Sequence, residues 1–158
     1  MKDVTERTGQ EPSKQRLRVW LNLLKINRGI EAELRGRMRT EFGTTLPRFD
    51  VMSALYRHPD GLIMSALSSM LMVSNGNVTG IVDRLCDDGF ILRVPVPGDR
   101  RAARARLTPA GRQEFERQAE VHEVWVAELL GGLDAQECAV VLDLLTRIRM
   151  NETESHHV

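Results

Sequence analysis

Apolar residues recur at helical spacing along most of this 158-residue chain, and the period changes in one place. FILRVPV (90–96) and ARARL (103–107) alternate as short β-type runs, joined by Pro97-Gly98-Asp99-Arg100. Pro95 and Pro97 lack the N–H that a ladder needs, so the hairpin is expected to be small and exposed. The length suits one domain with a real core. The pattern predicts a mainly α domain interrupted by a single small β-hairpin.

The surrounding helices are delimited by their own signals. Residues 1–13, polar and carrying Gly9 and Pro12, read as a frayed tail. From about Arg16 a long helix carries Leu17, Leu21 and Leu24 in one row, and Leu23, Ile26, Ile30, Leu34 and Met38 in a second. Two rows imply burial on more than one side, and Gly43 stops the helix. Pro47 marks the next helix start, with Phe49, Met52, Ala54, Leu55 and Tyr56 as its apolar face. His58-Pro59-Asp60-Gly61 then turns the chain. Residues 64–72 form a short helix, with Val73 as the turn. Ser74 caps a helix whose inner face is Val78, Ile81, Val82 and Leu85, and Gly89 ends it with a left-handed cap. After the hairpin, Thr108-Pro109 opens a helix that runs to Gly131-Gly132. Leu133-Asp134 starts the last one, through Val140, Val141, Leu144, Leu145 and Ile148, and 151–158 reads as a tail.

The formal net charge is zero, but its distribution is uneven. Residues 84–112 carry seven arginines against three acids, a local balance of +4, and residues 114–158 carry ten acids against three bases, a balance of −7. Salt screens charges beyond roughly 8–10 Å, so a partner feels the local patch more than the sum. Two cysteines, Cys86 and Cys138, make neither a disulfide framework nor a zinc spacing. No apolar run reaches the length of a bilayer span and the N-terminus lacks a secretory signal, so the chain reads as soluble and cytoplasmic. Paired carboxylates, ligand clusters, phosphate-binding glycine loops and nucleophile–base pairs do not stand out. The chain reads as no enzyme, with no cofactor and no metal.

Two helices joined by a tight turn and followed directly by a hairpin is the order of a winged helix-turn-helix, and residues 62–108 are the part expected to touch DNA. A recognition helix enters the major groove N-terminus first. Here that first turn reads Ser74-Asn75-Gly76-Asn77-Val78-Thr79, dense in short hydrogen-bonding side chains. Asparagine matches the paired donor and acceptor of adenine, and Ser or Thr serves bases or phosphates. Gly76 lowers helix propensity by about 1 kcal/mol relative to Ala, which suits close approach to DNA better than it suits a structural helix. Arg84 adds to the basic segment. In the hairpin, Arg104 and Arg106 alternate onto one strand face, with Arg100 and Arg101 at or near the tip and Asp99 placed to hold Arg101 in a forked pair. Arginine on a thin tip suits a narrow minor groove. The bland reading, a charged edge that blocks strand aggregation, does not explain why the charge is nearly all arginine.

These segments resemble the MarR family of transcriptional regulators. The resemblance rests on the block from Val73 to Leu85, on Asp88-Gly89-Phe90-Ile91, and on Asp99 and Arg101 before Leu107-Thr108-Pro109-Ala110-Gly111, and covers roughly residues 16–150. It implies an obligate homodimer with interlocking terminal helices, acting as a repressor on a pseudo-palindromic double-stranded operator. Residues 14–44 and 109–150 would form the dimerisation region and 45–108 the DNA-binding region. By resemblance Asn75, Asn77 and Thr79 fall where the family reads bases, and Arg101 where it enters the minor groove. At Met64 the chain departs from the Ser or Thr that often caps the family's first motif helix, and Ser65 is the expected substitute.

Family members commonly release DNA on binding a small molecule. LPRFDVMSALYRHPDG and VSNGNVTG look most like members that control catabolism of aromatic or hydroxycinnamic acids, some of which sense the CoA thioester. Trp20, Arg28, Arg48, Met52 and His122 are the candidate pocket residues: an anion needs a cation and an aryl ring an apolar wall. Against this, Trp20 reads first as ordinary core, and Arg48 as a solvated residue or a partner of Asp50. Two rival readings remain: a winged helix used for protein contacts, and a regulator switched by cysteine oxidation, for which Cys86 and Cys138 are poorly placed.

Overall fold

The structure, a computed structural model, describes residues 12–155, and for Asn75, Arg100, Arg101 and 150–155 it describes the backbone alone. Of the two expected tails, residues 1–11 and 156–158 lie outside the described residues, whereas 12–13 and 151–155 are helical. The order of elements is α1 (Pro12–Phe42), α2 (Leu46–Tyr56), β1 (Leu62–Ile63), α3 (Met64–Leu71), α4 (Asn75–Asp87), β2 (Ile91–Val96), β3 (Asp99–Leu107), α5 (Pro109–Leu129) and α6 (Ala135–Ser155). Two compact units result, Met1–His122 and Glu123–Val158.

Local chemistry sets the helix ends. Gly43 (φ +60°) stops α1, with the Gly43 and Thr44 amides donating to the Arg39 and Met38 carbonyls at 3.1 and 3.3 Å. Thr45 caps α2, its side chain accepting from the Arg48 amide, and Pro47 lies in the first turn, where its missing N–H is not needed. The turn at His58 closes through a 2.8 Å bond from the Gly61 amide to the His58 carbonyl. In the second unit Asp134 and Glu137 cap α6 reciprocally, amide to carboxylate in both directions at 2.9 and 2.8 Å.

The sheet has three strands where the sequence predicted two, in the order β1-β3-β2. Leu62 and Ile63 pair antiparallel with Ala105 and Arg104, and two residues are too few to show a period. β1 also removes the expected cap of α3: Ile63 runs from strand into helix as the N-cap with no side-chain bond, and Ser65 does not substitute. The β2–β3 ladder shifts register between Pro95 and Val96, as the prolines led one to expect.

The core of the first unit lies among Met38, Val51, Met52, Leu55, Leu67, Val78, Val82, Leu85, Ile91 and Ala105, all nearly inaccessible to solvent. An aromatic cluster fixes the start of α5 to α2: Phe49 stacks on Phe115 (5.3 Å) and His122 (4.5 Å), and Tyr56 lies 4.8 Å from Phe115. Along α1 the expected rows are buried only near the C-terminal end, at Leu34 and Met38. Toward the N-terminus Leu17, Trp20, Leu21 and Ile26 are exposed, so Trp20, at 56% exposure, is not core in this chain.

Two consequences are measurable. A Cβ on Gly111 would lie 1.9 Å from the Phe90 carbonyl oxygen, and backbone cannot yield to that contact. Gly111→Ala is expected to lower unfolding free energy by about 1–3 kcal/mol, as overpacking does, in a denaturant titration. Asp50 is exposed as a residue, yet its carboxyl is pushed up from 3.8 to about 6 by desolvation and then by the Glu31 carboxylate. The folded state therefore holds this proton at a pH where the unfolded chain has lost it. Its ionisation opposes folding above pH 6, and that opposition fades as pH falls toward 4. Asp50→Asn should raise the melting temperature at pH 7.5 more than at pH 4.5.

Candidate nucleic-acid interface

The helix-turn-helix turn is tied from below. The Val73 amide donates to the Ser68 carbonyl at 3.2 Å, and the buried Ser68 hydroxyl donates to the Val73 carbonyl. Ser74 then caps α4, its hydroxyl accepting from the Asn77 amide at 3.4 Å. At the other end Gly89 (φ +77°) closes a Schellman motif: the Phe90 amide donates to the Leu85 carbonyl and the Gly89 amide to the Cys86 carbonyl, both at 2.9 Å. Both ends of α4 were legible from Ser74 and Gly89.

Val78, Val82 and Leu85 are buried and set the inner face of α4. Around the helix, residues two apart differ by about 200°, so Asn77 and Thr79 do not share a face. Asn77, Ile81, Arg84 and Asp88 follow one another at spacings of four, three and four, along one flank. Gly76 is exposed and a Cβ there would meet nothing within 4 Å. The free protein therefore gives no reason for a glycine. Arg84 folds back, its Nε donating to the Gly80 carbonyl at 3.1 Å.

In β3, Arg104 and Arg106 are exposed on either side of buried Ala105, as the alternation required. Asp99 opens the strand opposite Val96, and the side chains of Arg100 and Arg101 lie outside what is described. Arg93, which the sequence did not single out, joins the wing to the recognition helix through an ion pair from β2 to Asp83 of α4.

The five candidate effector residues are not brought together. Met52 is 2% exposed and belongs to the core. His122 stacks on Phe49, and burial lowers its pKa, which favours the neutral ring. Trp20 and Arg28 stand exposed on α1. Arg48 alone of the five lines a cleft of about 750 Å³ walled by Phe42, Ile81 and Phe90, with Arg35, Arg39, Asn77 and Arg84 around it. Arg48 pairs there with Asp88, the C-cap of α4, and not with Asp50. Two buried atoms in this lining lack a hydrogen-bond partner, Arg48 Nε and Gln118 Oε1. Gln118 Nε2 already donates to Glu114 at 2.7 Å, which orients the amide. Cys86 and Cys138 are free, half-buried thiols. Among the described residues no helix is long and apolar enough to cross a membrane.

The MarR family profile matches residues 44–103, the segment from just after α1 into β3. The regulator PecS of Dickeya dadantii is 30% identical over 127 residues, covering 79% of this chain and 74% of that protein. A MarR family transcriptional regulator from Silicibacter pomeroyi superposes with TM-score 0.75 at 33% identity, over 91% of this chain and 99% of that one. A MarR mutant from E. coli, solved in complex with operator DNA, shares the fold with TM-score 0.73 at 23% identity, over 88% of this chain and 99% of that one. Among other curated relatives the chain spans about two thirds of their length. The chain belongs to the MarR family of winged helix-turn-helix, DNA-binding transcriptional regulators, which are not enzymes.

Proposed function

We propose that this regulator is a homodimeric repressor that holds a pseudo-palindromic operator through α4 and the wing and releases it to a small aromatic acid or its CoA thioester. The observation that carries the DNA half is an exposed, polar and glycine-containing first turn on α4, joined through Arg93–Asp83 to a strand that exposes Arg104 and Arg106. In this reading Ser74, Asn75, Asn77 and Thr79 meet bases and phosphates, and Arg84, Arg104 and Arg106 the backbone. Arg100 and Arg101, with Asp99 beside them, serve the minor groove.

The dimer reading is supported separately in each unit. Leu17, Trp20, Leu21 and Ile26 leave apolar surface exposed on α1, and Val140, Val141, Leu142, Leu144 and Ile148 do so on α6. Exposed stripes of this extent are characteristic of surfaces that meet a partner. Residues 14–44 and 109–150 are thus assigned to dimerisation and 45–108 to DNA. Two-fold symmetry would set the recognition helices one DNA turn apart, roughly 34 Å.

The effector reading now centres on the cleft beside α4. Arg48 Nε offers an uncommitted donor to an anion, Gln118 Oε1 an acceptor to a hydroxyl, and Phe42, Ile81 and Phe90 an apolar wall. An effector anion that replaces Asp88 at Arg48 would loosen the tie between α2 and the end of α4.

A footprint on DNA flanking the gene, repeated with aromatic acids and their CoA thioesters, tests both halves. Arg101→Ala should weaken operator binding by about 1–3 kcal/mol, and affinity should fall steeply with salt. Affinity that stays flat in salt removes the phosphate grip, and release by none of the compounds removes the effector. Gly76→Ala should separate stability from function: the helix gains up to about 1 kcal/mol, while operator affinity drops. Parallel thermal melts and binding titrations read the two signs.

A further inference from the structure

Met72 occupies an unfavourable position for its residue type. It is the one non-glycine residue with positive φ among the described residues (φ 53°, ψ 38°), and the residue is 93% exposed. Left-handed geometry brings Cβ against the following carbonyl, a strain that glycine escapes. The turn itself makes no use of the side chain. The Met72 amide donates to the Ser69 carbonyl at 3.3 Å, and the Val73 amide and carbonyl both bond to Ser68. Glycine would keep every one of these bonds. The strained residue thus carries its largest apolar group into solvent two positions before Ser74, the cap of α4. Met70 and Val73 beside it are exposed as well, and beyond Val73 the surface turns polar.

We propose that Met72 is a DNA contact, its thioether packing on a deoxyribose of the operator strand at the lip of the major groove. The inference rests on the reading of α4 as the helix that enters the groove. Because such a helix enters N-terminus first, the turn just before it is carried to the lip, where the sugar–phosphate strand runs. Along that strand charged phosphates alternate with apolar sugar faces. A thioether has no proton to donate to a phosphate, and its flexible, polarisable chain suits an irregular apolar surface. The thymine methyl, the apolar group of the major groove itself, belongs to a base edge inside the groove.

The test uses the full-length protein as wild type, Met72→Gly, Met72→Leu, Asn77→Ala and Thr79→Ala, with the footprinted operator and an unrelated duplex of equal length. Met72→Gly should raise the melting temperature and weaken binding to both duplexes by about fivefold, a partial burial of one methionine, with an unchanged salt slope because no charge is lost. Met72→Leu should hold wild-type affinity. A Met72→Gly protein that melts lower, or binds as tightly as wild type, overturns the proposal. So does a loss confined to the operator and reproduced by thymine-to-uracil replacement, which would move the contact to a base. If Asn77→Ala and Thr79→Ala leave operator binding intact, the reading of α4 fails. If they weaken it while Met72→Gly does not, the Met72 contact alone fails.

Discussion

One threonine joins the end of the recognition helix to both ends of the wing. The Thr108 hydroxyl donates to the Gly89 carbonyl at 2.7 Å and accepts from the Gly111 amide at 2.9 Å, while its own amide donates to the Phe90 carbonyl at 3.0 Å. These three bonds tie the cap of α4, the start of β2, the end of β3 and the first turn of α5. The approach is so close that only a residue without a Cβ fits at position 111. This junction sets how the hairpin leaves α4, together with the β1–β3 pairing and the buried Ile91 and Ala105. A small ladder broken near Pro95 could not do so alone.

Two ion pairs complete the bracing, and their exposures separate their roles. Arg93–Asp83 is largely solvated, so it contributes little free energy and acts by holding β2 at one distance from α4. The Arg48 side chain is more enclosed, and Asp88 leaves its Nε without a partner. An uncommitted buried donor is costly to a folded protein unless something else meets it. On the effector reading proposed above, Arg48–Asp88 is the contact that an incoming anion would exchange.

The helices were legible because their limits rest on single residues with strong local chemistry: Gly43, Pro47, Gly61, Ser74, Gly89 and Asp134 each act within a few positions. The wing was legible through the change of period and the alternation about Ala105. β1 was not, because its two residues gain meaning only from Ala105 and Arg104, some forty positions away. The partner of Arg48 was misread for the same reason, since Asp88 is forty residues distant and Asp50 only two. Met52 already stood on the apolar face of its helix, which agrees with a core position better than with a pocket, whereas residue type alone does not report that His122 is stacked. Gln118, half of the unsatisfied pair in the cleft, carries no motif at all. Met72 could have been suspected: a turn between two short helices commonly needs a left-handed residue, and this one has no glycine.

These observations give α4 two unlike ends. Its C-terminal end is closed by a Schellman motif, by Thr108 and by Arg48, and it sits over buried Leu85. Its N-terminal end has a serine cap, a glycine in its first turn and a strained methionine before it. Both ends are anchored, the N-terminal one by buried Val78 and the Ser68–Val73 bonds. On the function proposed above the N-terminal end meets DNA and the C-terminal end sets direction. A cleft running from Asn77 to Asp88 spans both ends. On the effector reading proposed above, a molecule filling it would meet α4 near both ends, at Asp88 and at Asn77, without having to reach the DNA.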